Sequence, residues 1–303
     1  MKISEVLRKK EEIYIKSKYT ADFLLLKHKK IEDIRNFISA NDHKINNDED
    51  FLKIRSLALE EGGFLNTENR LFLYEKILDY LQEKFNYDQY YKNEEEIALT
   101  PYNFINEITN DYERTNARVI LGKDIVNQLD DEFNCIIEKI KIFTMELYNN
   151  NKKFSKYFDY FQGYQQLSLI ILLLNIENEI SQTTKSDEID KRSLSLIQKI
   201  TETHFFHFVH KKYKIPFDEI LSILNDLVNE LDPAIREKMK MISNRQPTYA
   251  LTWIITWISL KNSDLFLQFR IFDYLISSQS MAILYLCAVV RNTIRSNYNL
   301  IFR

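Results

Sequence analysis

The chain has 303 residues, with 41 Lys plus Arg against 44 Asp plus Glu and a formal net charge of -3, so a general nucleic-acid binder is disfavoured. Hydrophobic residues make up 45% and charged residues 28%, a globular balance with enough apolar side chain for a sizeable core. It has only four Gly and four Pro, which argues against turn-rich sandwiches, barrels and propellers, and Gly62, Gly63, Gly122 and Gly163 cannot assemble GxGxxG, GxxxxGK[ST] or GxSxG.

Nearly every segment carries helical periodicity. Residues 3–40 form a polar amphipathic start, with Ile13, Phe23, Leu24, Ile31, Ile34 and Ile38 as scattered apolar positions. Residues 1–10 mix charges and no apolar run follows them, so they do not read as a secretory signal. Residues 41–50, NDHKINNDED, have loop or linker composition. Residues 1–50 are therefore read as an N-terminal helical extension and linker, a hairpin on the periphery of a main domain covering 51–303. There Gly62 and Gly63 end one helix, and Asn66-Thr67-Glu68-Asn69 cap the next, which runs to about Leu81. Thr100-Pro101 opens another helix, with Phe104, Ile105, Ile108 and Tyr112 at helical spacing. After Gly122 a helix is expected over 125–148, then a loop at 149–153. Residues 165–180 are apolar on most faces and are predicted to be central. A polar loop at 182–190 precedes three helical stretches bounded by Pro216, Asp232-Pro233 and Pro247. Residues 248–294 hold the two most apolar helices, with Trp253, Trp257, Phe269 and Phe272 as core aromatics. The apolar runs 167–174, 250–260 and 281–290 are shorter than the about 20 residues of a spanning helix. Cys135 and Cys287 form neither a CxxC nor a disulfide framework, the usage of a reduced, intracellular compartment.

Side chains with chemistry are few. His204, His207 and His210 sit three apart, and two of them on one helix could share a metal. Each step of three drifts by about 60° around the helix, which carries the third off the face of the first, and the interleaved Phe205, Phe206 and Phe208 favour a packing helix. Lys27-His28-Lys29-Lys30 is a small basic patch, read as a solvated helix face in preference to a contact with anionic lipid. Three other segments gain meaning together. Residues 108–115 have the form IxxDxxRT, 160–164 read YFQGY, and 249–257 read YALTWIITW, followed by Arg270-Ile271-Phe272-Asp273. Upstream, Gly62-Gly63-Phe64-Leu65 precedes Arg70 and Tyr74-Glu75-Lys76-Ile77-Leu78.

In this order the segments resemble the TBC domain, the all-helical domain of Rab GTPase-activating proteins. The resemblance covers about residues 55–295, and Arg70 to Leu78 is similar to the family's RxxxWxxLL opening with Tyr74 in place of Trp. The glycine pair, FQGY and YALTWIITW most resemble the subgroup acting in endoplasmic-reticulum and Golgi traffic. The resemblance implies an all-α, two-lobed multi-helix fold whose groove receives a Rab-family GTPase in its GTP-bound state. It implies that Arg114 is an arginine finger and Gln162 a glutamine finger, both supplied in trans, with Asp111, Thr115, Gly163 and Tyr164 in support. Arg suits the task because it stays charged and presents a planar fork of donors to phosphate oxygens. A carboxylate three residues earlier, Asp111, can hold the guanidinium or a neighbouring backbone group. An amide such as that of Gln162 can accept from an attacking water and donate at once. The chain itself is expected to hold no nucleotide, cofactor or metal, since GTP and Mg²⁺ come with the GTPase.

The subgroup implies a cytoplasmic protein at the cytosolic face of those membranes, with peripheral association, and vesicle trafficking as its setting. Members often carry a C-terminal membrane anchor. This chain ends at Arg303 without one, which reads as a soluble relative or a shortened chain. Gln165-Gln166 depart from the polar residue and Asp that many members have after QGY. That departure supports the alternative of a catalytically silent TBC-like scaffold or effector. A third reading is an unrelated helical adaptor, and Arg114 taken alone is an ordinary surface salt-bridge residue.

Overall fold

A computed structural model describes residues 3–85, 108, 110–111, 130–150, 152–178, 186–231, 250–259 and 264–301. The predicted helical start divides into α1 (Ile3–Lys18) and α2 (Ala21–Ala40). Thr20 separates them, its hydroxyl oxygen accepting the Phe23 N–H at 3.3 Å. That bond satisfies a donor which every helix start leaves without a partner. α3 (Asp48–Leu59) begins inside the expected loop, capped by Asn47 on the Asp50 N–H at 3.0 Å. Asp48, Glu49 and Asp50 in its first turn suit the positive end of the helix dipole. The NDHKINNDED stretch is thus half turn and half helix start, because caps and loops draw on the same residues.

α4 (Thr67–Phe85) forms as predicted. α5 (Asp130–Met145) continues through one π-helical turn (Glu146–Asn150), and α6 (Lys152–Tyr157) follows, so most of the expected loop at 149–153 is helical. α7 (Tyr164–Asn178) and α8 (Ser186–His204) come next, the latter starting inside the expected loop at 182–190. The remainder are α9 (Phe206–Val209), α10 (Phe217–Leu231), α11 (Leu251–Ile255), α12 (Leu265–Ile276) and α13 (Ala282–Ile301). Among the described residues there is no strand, only an isolated antiparallel bridge between Phe158 and His210.

α7 is the centre of the molecule. Residues 164–175 are all buried, and the helix lies against α1, α4, α5, α8 and α12. A helix apolar all round is stable only when enclosed in this way. A second grouping is formed by α10 on α13, which also meets α11. α1 is less peripheral than the sequence suggests, since Ile3 and Leu7 join the core and the helix packs on α7.

The glycine turn and α4 both meet Asp273 of α12, which is fully buried. Its carboxylate accepts from Arg70 Nε at 3.1 Å, Tyr74 Oη at 2.7 Å, Arg270 Nη1 at 3.0 Å and the Phe64 N–H at 3.2 Å. Burial disfavours the Arg70 charge, but Asp273, Tyr74 and Glu11 outweigh it and its pKa is raised. Glu11 of α1 accepts from Arg70 at 3.2 Å and from Thr67 Oγ1 at 3.0 Å, which ties the N-terminal helix to the hub. Arg270 also donates to the Ala58 and Glu60 carbonyls at the end of α3, both at 3.2 Å. The predicted Arg270–Asp273 brace is therefore one arm of a larger junction. Tyr in place of Trp at position 74 supplies one of its hydroxyl donors. Gly63 has φ +53, and a Cβ there would stand 1.6 Å from Arg270 Nη1, so the guanidinium occupies the space of a side chain.

The three histidines do not share one helix. α8 ends at His204, α9 carries His207, and His210 lies in the bridge to Phe158. His204 and His210 are buried and His207 is exposed. The Thr203 hydroxyl donates to the Lys199 carbonyl at 2.7 Å, so its oxygen accepts from His204 Nδ1 at 2.7 Å. His210 Nδ1 accepts the N–H groups of Lys212 and Tyr213, both at 3.2 Å. Among the described residues no group of His, Cys, Asp and Glu could hold a metal ion. Burial pushes the His204 imidazole down from 6.5 to about 4, with backbone groups of Ser278, Ile276 and Leu275 partly opposing it. The unfolded chain therefore binds a proton below pH 6.5 that the folded chain refuses until about pH 4. Stability is full above pH 6.5 and falls across that window, with about 2 kcal/mol lost at this site by pH 5. Thermal melting at pH 7 and pH 5 checks this, and His204→Gln is expected to show a smaller drop between the two.

Candidate functional site

The YFQGY segment joins α6 to α7 and is clamped on several sides. The Asp159 N–H donates to the Val209 carbonyl and the Lys211 N–H to the Tyr157 carbonyl, both at 2.8 Å. These two bonds fasten the segment to the turn after α9. A column of rings then carries it into the core. Phe161 stacks on Phe205 at 5.2 Å, Phe205 stacks on Trp257 at 5.3 Å, and Trp257 meets Phe272 edge-on at 5.0 Å. Such pairs add about 0.5–1.5 kcal/mol each beyond the area they bury. Tyr164 at the start of α7 is buried, and burial raises its pKa. The Thr201 hydroxyl donates to the Ile197 carbonyl, so the Tyr164 hydroxyl is the donor in their 3.0 Å contact.

Gly163 is required by two constraints. Its φ is +103, and a Cβ would lie 2.8 Å from Thr256 Cγ2. Thr256 is put there by the way α11 ends. The Ile258 N–H reaches the Trp253 carbonyl at 2.8 Å and the Trp257 N–H reaches the Ile254 carbonyl at 3.4 Å. This is a Schellman ending, in which the residue after the cap turns left-handed. Trp257 and Ile258 take φ +48 and +63, where glycine is usual. The predicted run of core aromatics is therefore broken between Trp253, half-buried on α11, and Trp257, fully buried beyond it.

A polar junction links this segment to the IxxDxxR motif. Asp111 is buried, and Tyr160 Oη donates to its Oδ2 at 2.7 Å. Gln165, also buried, donates from Nε2 to the Asp111 carbonyl at 3.1 Å and accepts the Gly163 N–H on Oε1 at 3.2 Å. Tyr148 packs edge-on against both Tyr160 and Tyr164 at 5.4 Å and walls the junction from behind. Gln162 is the single exposed residue between Tyr157 and Asn175, apart from the half-buried Asp159 and Tyr160. It stands at the tip of a segment whose other residues are held from within.

The structure thus brings Asp111, Gln162, Gly163 and Tyr164 together. Arg114 and Thr115 lie outside the described residues. The sequence alone assigns no role to Tyr160 and shows Gln165 only as part of the Gln165-Gln166 departure. Their signal was a hydroxyl and an amide flanking a Gln-Gly pair, too common a composition to stand out. Among the described residues no helix is long and apolar enough to cross a membrane.

The model of the Rab-GTPase-TBC domain matches residues 67–297. The chain is also 33% identical over 70 residues to a protein of Schizosaccharomyces pombe named GTPase-activating protein gyp10, a stretch covering 23% of this chain and 18% of that relative. The family match spans most of the chain, includes both linked motifs and removes the reading as an unrelated helical adaptor. The chain belongs to the Rab-GTPase-TBC domain family.

Proposed function

We propose that the protein accelerates GTP hydrolysis by a Rab-family GTPase, with Arg114 and Gln162 entering the partner's nucleotide site. The observation that carries this reading is the exposure of Gln162 at the tip of an otherwise buried loop, tied through Gln165 and Tyr160 to Asp111 of the IxxDxxR motif. A structural glutamine would be expected to point inward and bond there, as Gln165 does. Gln162 instead faces outward on a rigid support, the arrangement suited to meeting atoms that another molecule brings. Arg114 would stabilise charge on the transferring phosphoryl group, and Gln162 would orient the attacking water. Asp111 would orient Arg114. GTP and Mg²⁺ would be carried by the GTPase, and the chain would supply no nucleotide or metal site.

The test is recognition of the transition-state mimic. A stable complex is expected with one or a few Rab proteins loaded with GDP, Mg²⁺ and aluminium fluoride, and none with GDP alone. Equal binding of the GDP and GTP forms, with no gain from fluoride, would contradict the reading. Binding of the GTP form without that gain would favour the silent scaffold.

A further inference from the structure

We propose that Gln165 is a positioning residue for catalysis that holds the peptide of Gln162 against Asp111 of the arginine motif, a role that rests on the function proposed above. Gln165 is the second residue of α7 and is 6% exposed. Reaching back to the Gly163 N–H is a helix-capping action, and it needs only an acceptor. The second arm is different. Nε2 crosses to the carbonyl of Asp111, on a segment 54 positions away in the chain. Only a side chain that accepts and donates at fixed separation makes both bonds, and an amide is such a group. A carboxylate at 165 would set an acceptor against the Asp111 carbonyl.

The two groups it holds are placed where they matter. The Gly163 N–H belongs to the peptide that follows Gln162, so its bond fixes the plane from which the Gln162 side chain springs. The Asp111 carbonyl is main chain three residues before Arg114. Tyr160 holds the carboxylate of the same Asp111. Asp111 is thereby held at its side chain by Tyr160 and at its backbone by Gln165, and the backbone arm is the one that also reaches the Gln162-Gly163 peptide. Two groups that must meet one phosphoryl centre lose rate steeply when their relative placement slackens, by about 10²-fold for a displacement of 1 Å. Gln165 thus ties the Gln162-Gly163 peptide to the Asp111 backbone.

The test is single-turnover hydrolysis of Rab-bound GTP over a range of activator concentrations, which separates maximal rate from half-saturating concentration. Wild type, Gln165→Met, Gln165→Glu and Gln162→Ala are compared, together with Gln162→Ala combined with Gln165→Met. Methionine keeps the length and loses both bonds, and its maximal rate is expected to fall by about ten- to a hundredfold. Half-saturation is expected to stay within about twofold, because the buried amide does not face the partner. In the Gln162→Ala background the same change is expected to cost much less. If Gln165→Met does not fold, Gln165→Glu carries the test, since it keeps the Gly163 bond and loses the Asp111 bond. Its maximal rate is expected to fall by about tenfold. A wild-type maximal rate in the folded variant would overturn the proposal. So would an equal loss in the Gln162→Ala background, or a change confined to half-saturation. A wild-type protein that accelerates no Rab would overturn the function proposed above and this role with it, an outcome distinct from an active wild type indifferent to Gln165→Met.

Discussion

Arg114→Ala is expected to abolish nearly all acceleration of GTP hydrolysis while leaving GTPase binding largely intact. A guanidinium delivered in trans is worth about 10³–10⁵-fold, a magnitude established for the Ras system. It acts on charge that develops in the transition state, so its loss falls on the maximal rate and little on ground-state affinity. Arg114→Lys is expected to recover little, because an ammonium lacks the planar fork that spans two phosphoryl oxygens. Single-turnover hydrolysis beside a direct binding measurement checks both statements. An Arg114→Ala protein with wild-type turnover would remove Arg114 from the chemistry.

Asp273→Ala is expected to cost the most stability of any single change described. Asp273 is fully buried and receives two guanidiniums, a phenol and a backbone N–H. Removing it strands the buried Arg70 beside the single carboxylate of Glu11. Breaking one side of a buried pair costs about 3–5 kcal/mol, a large share of the about 5–15 kcal/mol that holds a domain folded. Denaturant unfolding measures it, and a loss below about 1 kcal/mol would contradict the account. Asp273→Leu combined with Arg70→Met is expected to recover part of the loss, because the stranded guanidinium is then gone, although Glu11 is left with its bond from Thr67 and no paired cation among the described residues. The hub joins α1, the glycine turn, α4 and α12, so the change is also expected to loosen the N-terminal helix. Hydrogen exchange along α1 would report that loosening.

The parts of this architecture that the sequence makes legible are those written in local periodicity. α4 and α7 follow from their apolar spacing, and the enclosure of α7 follows from apolar residues on every face. The Arg270–Asp273 pair is visible at i and i+3, but its bonds to Arg70, 203 positions away, belong to tertiary packing. Helix ends are the weak point. α11 stops in a left-handed Schellman turn made by Trp257 and Ile258, and the usual glycine signal is absent. The histidine run straddles a break at Phe205, where stacking on Phe161 and Trp257 overrides helical continuity. In the candidate site the motif residues are legible because their order matches a family. The contacts that join them are hidden, because neither Tyr160 nor Gln165 carries a local sign of a partner at position 111.

The measurement that bears most directly on the central claim is phosphate release from a panel of GTP-loaded Rab proteins, with wild type and Gln162→Ala run together. The account predicts that wild type accelerates one or a few Rabs strongly and that Gln162→Ala loses most of that acceleration, although Gln162 makes no described contact that holds the fold. Acceleration undiminished in Gln162→Ala, or none by wild type on any Rab it binds, would contradict it.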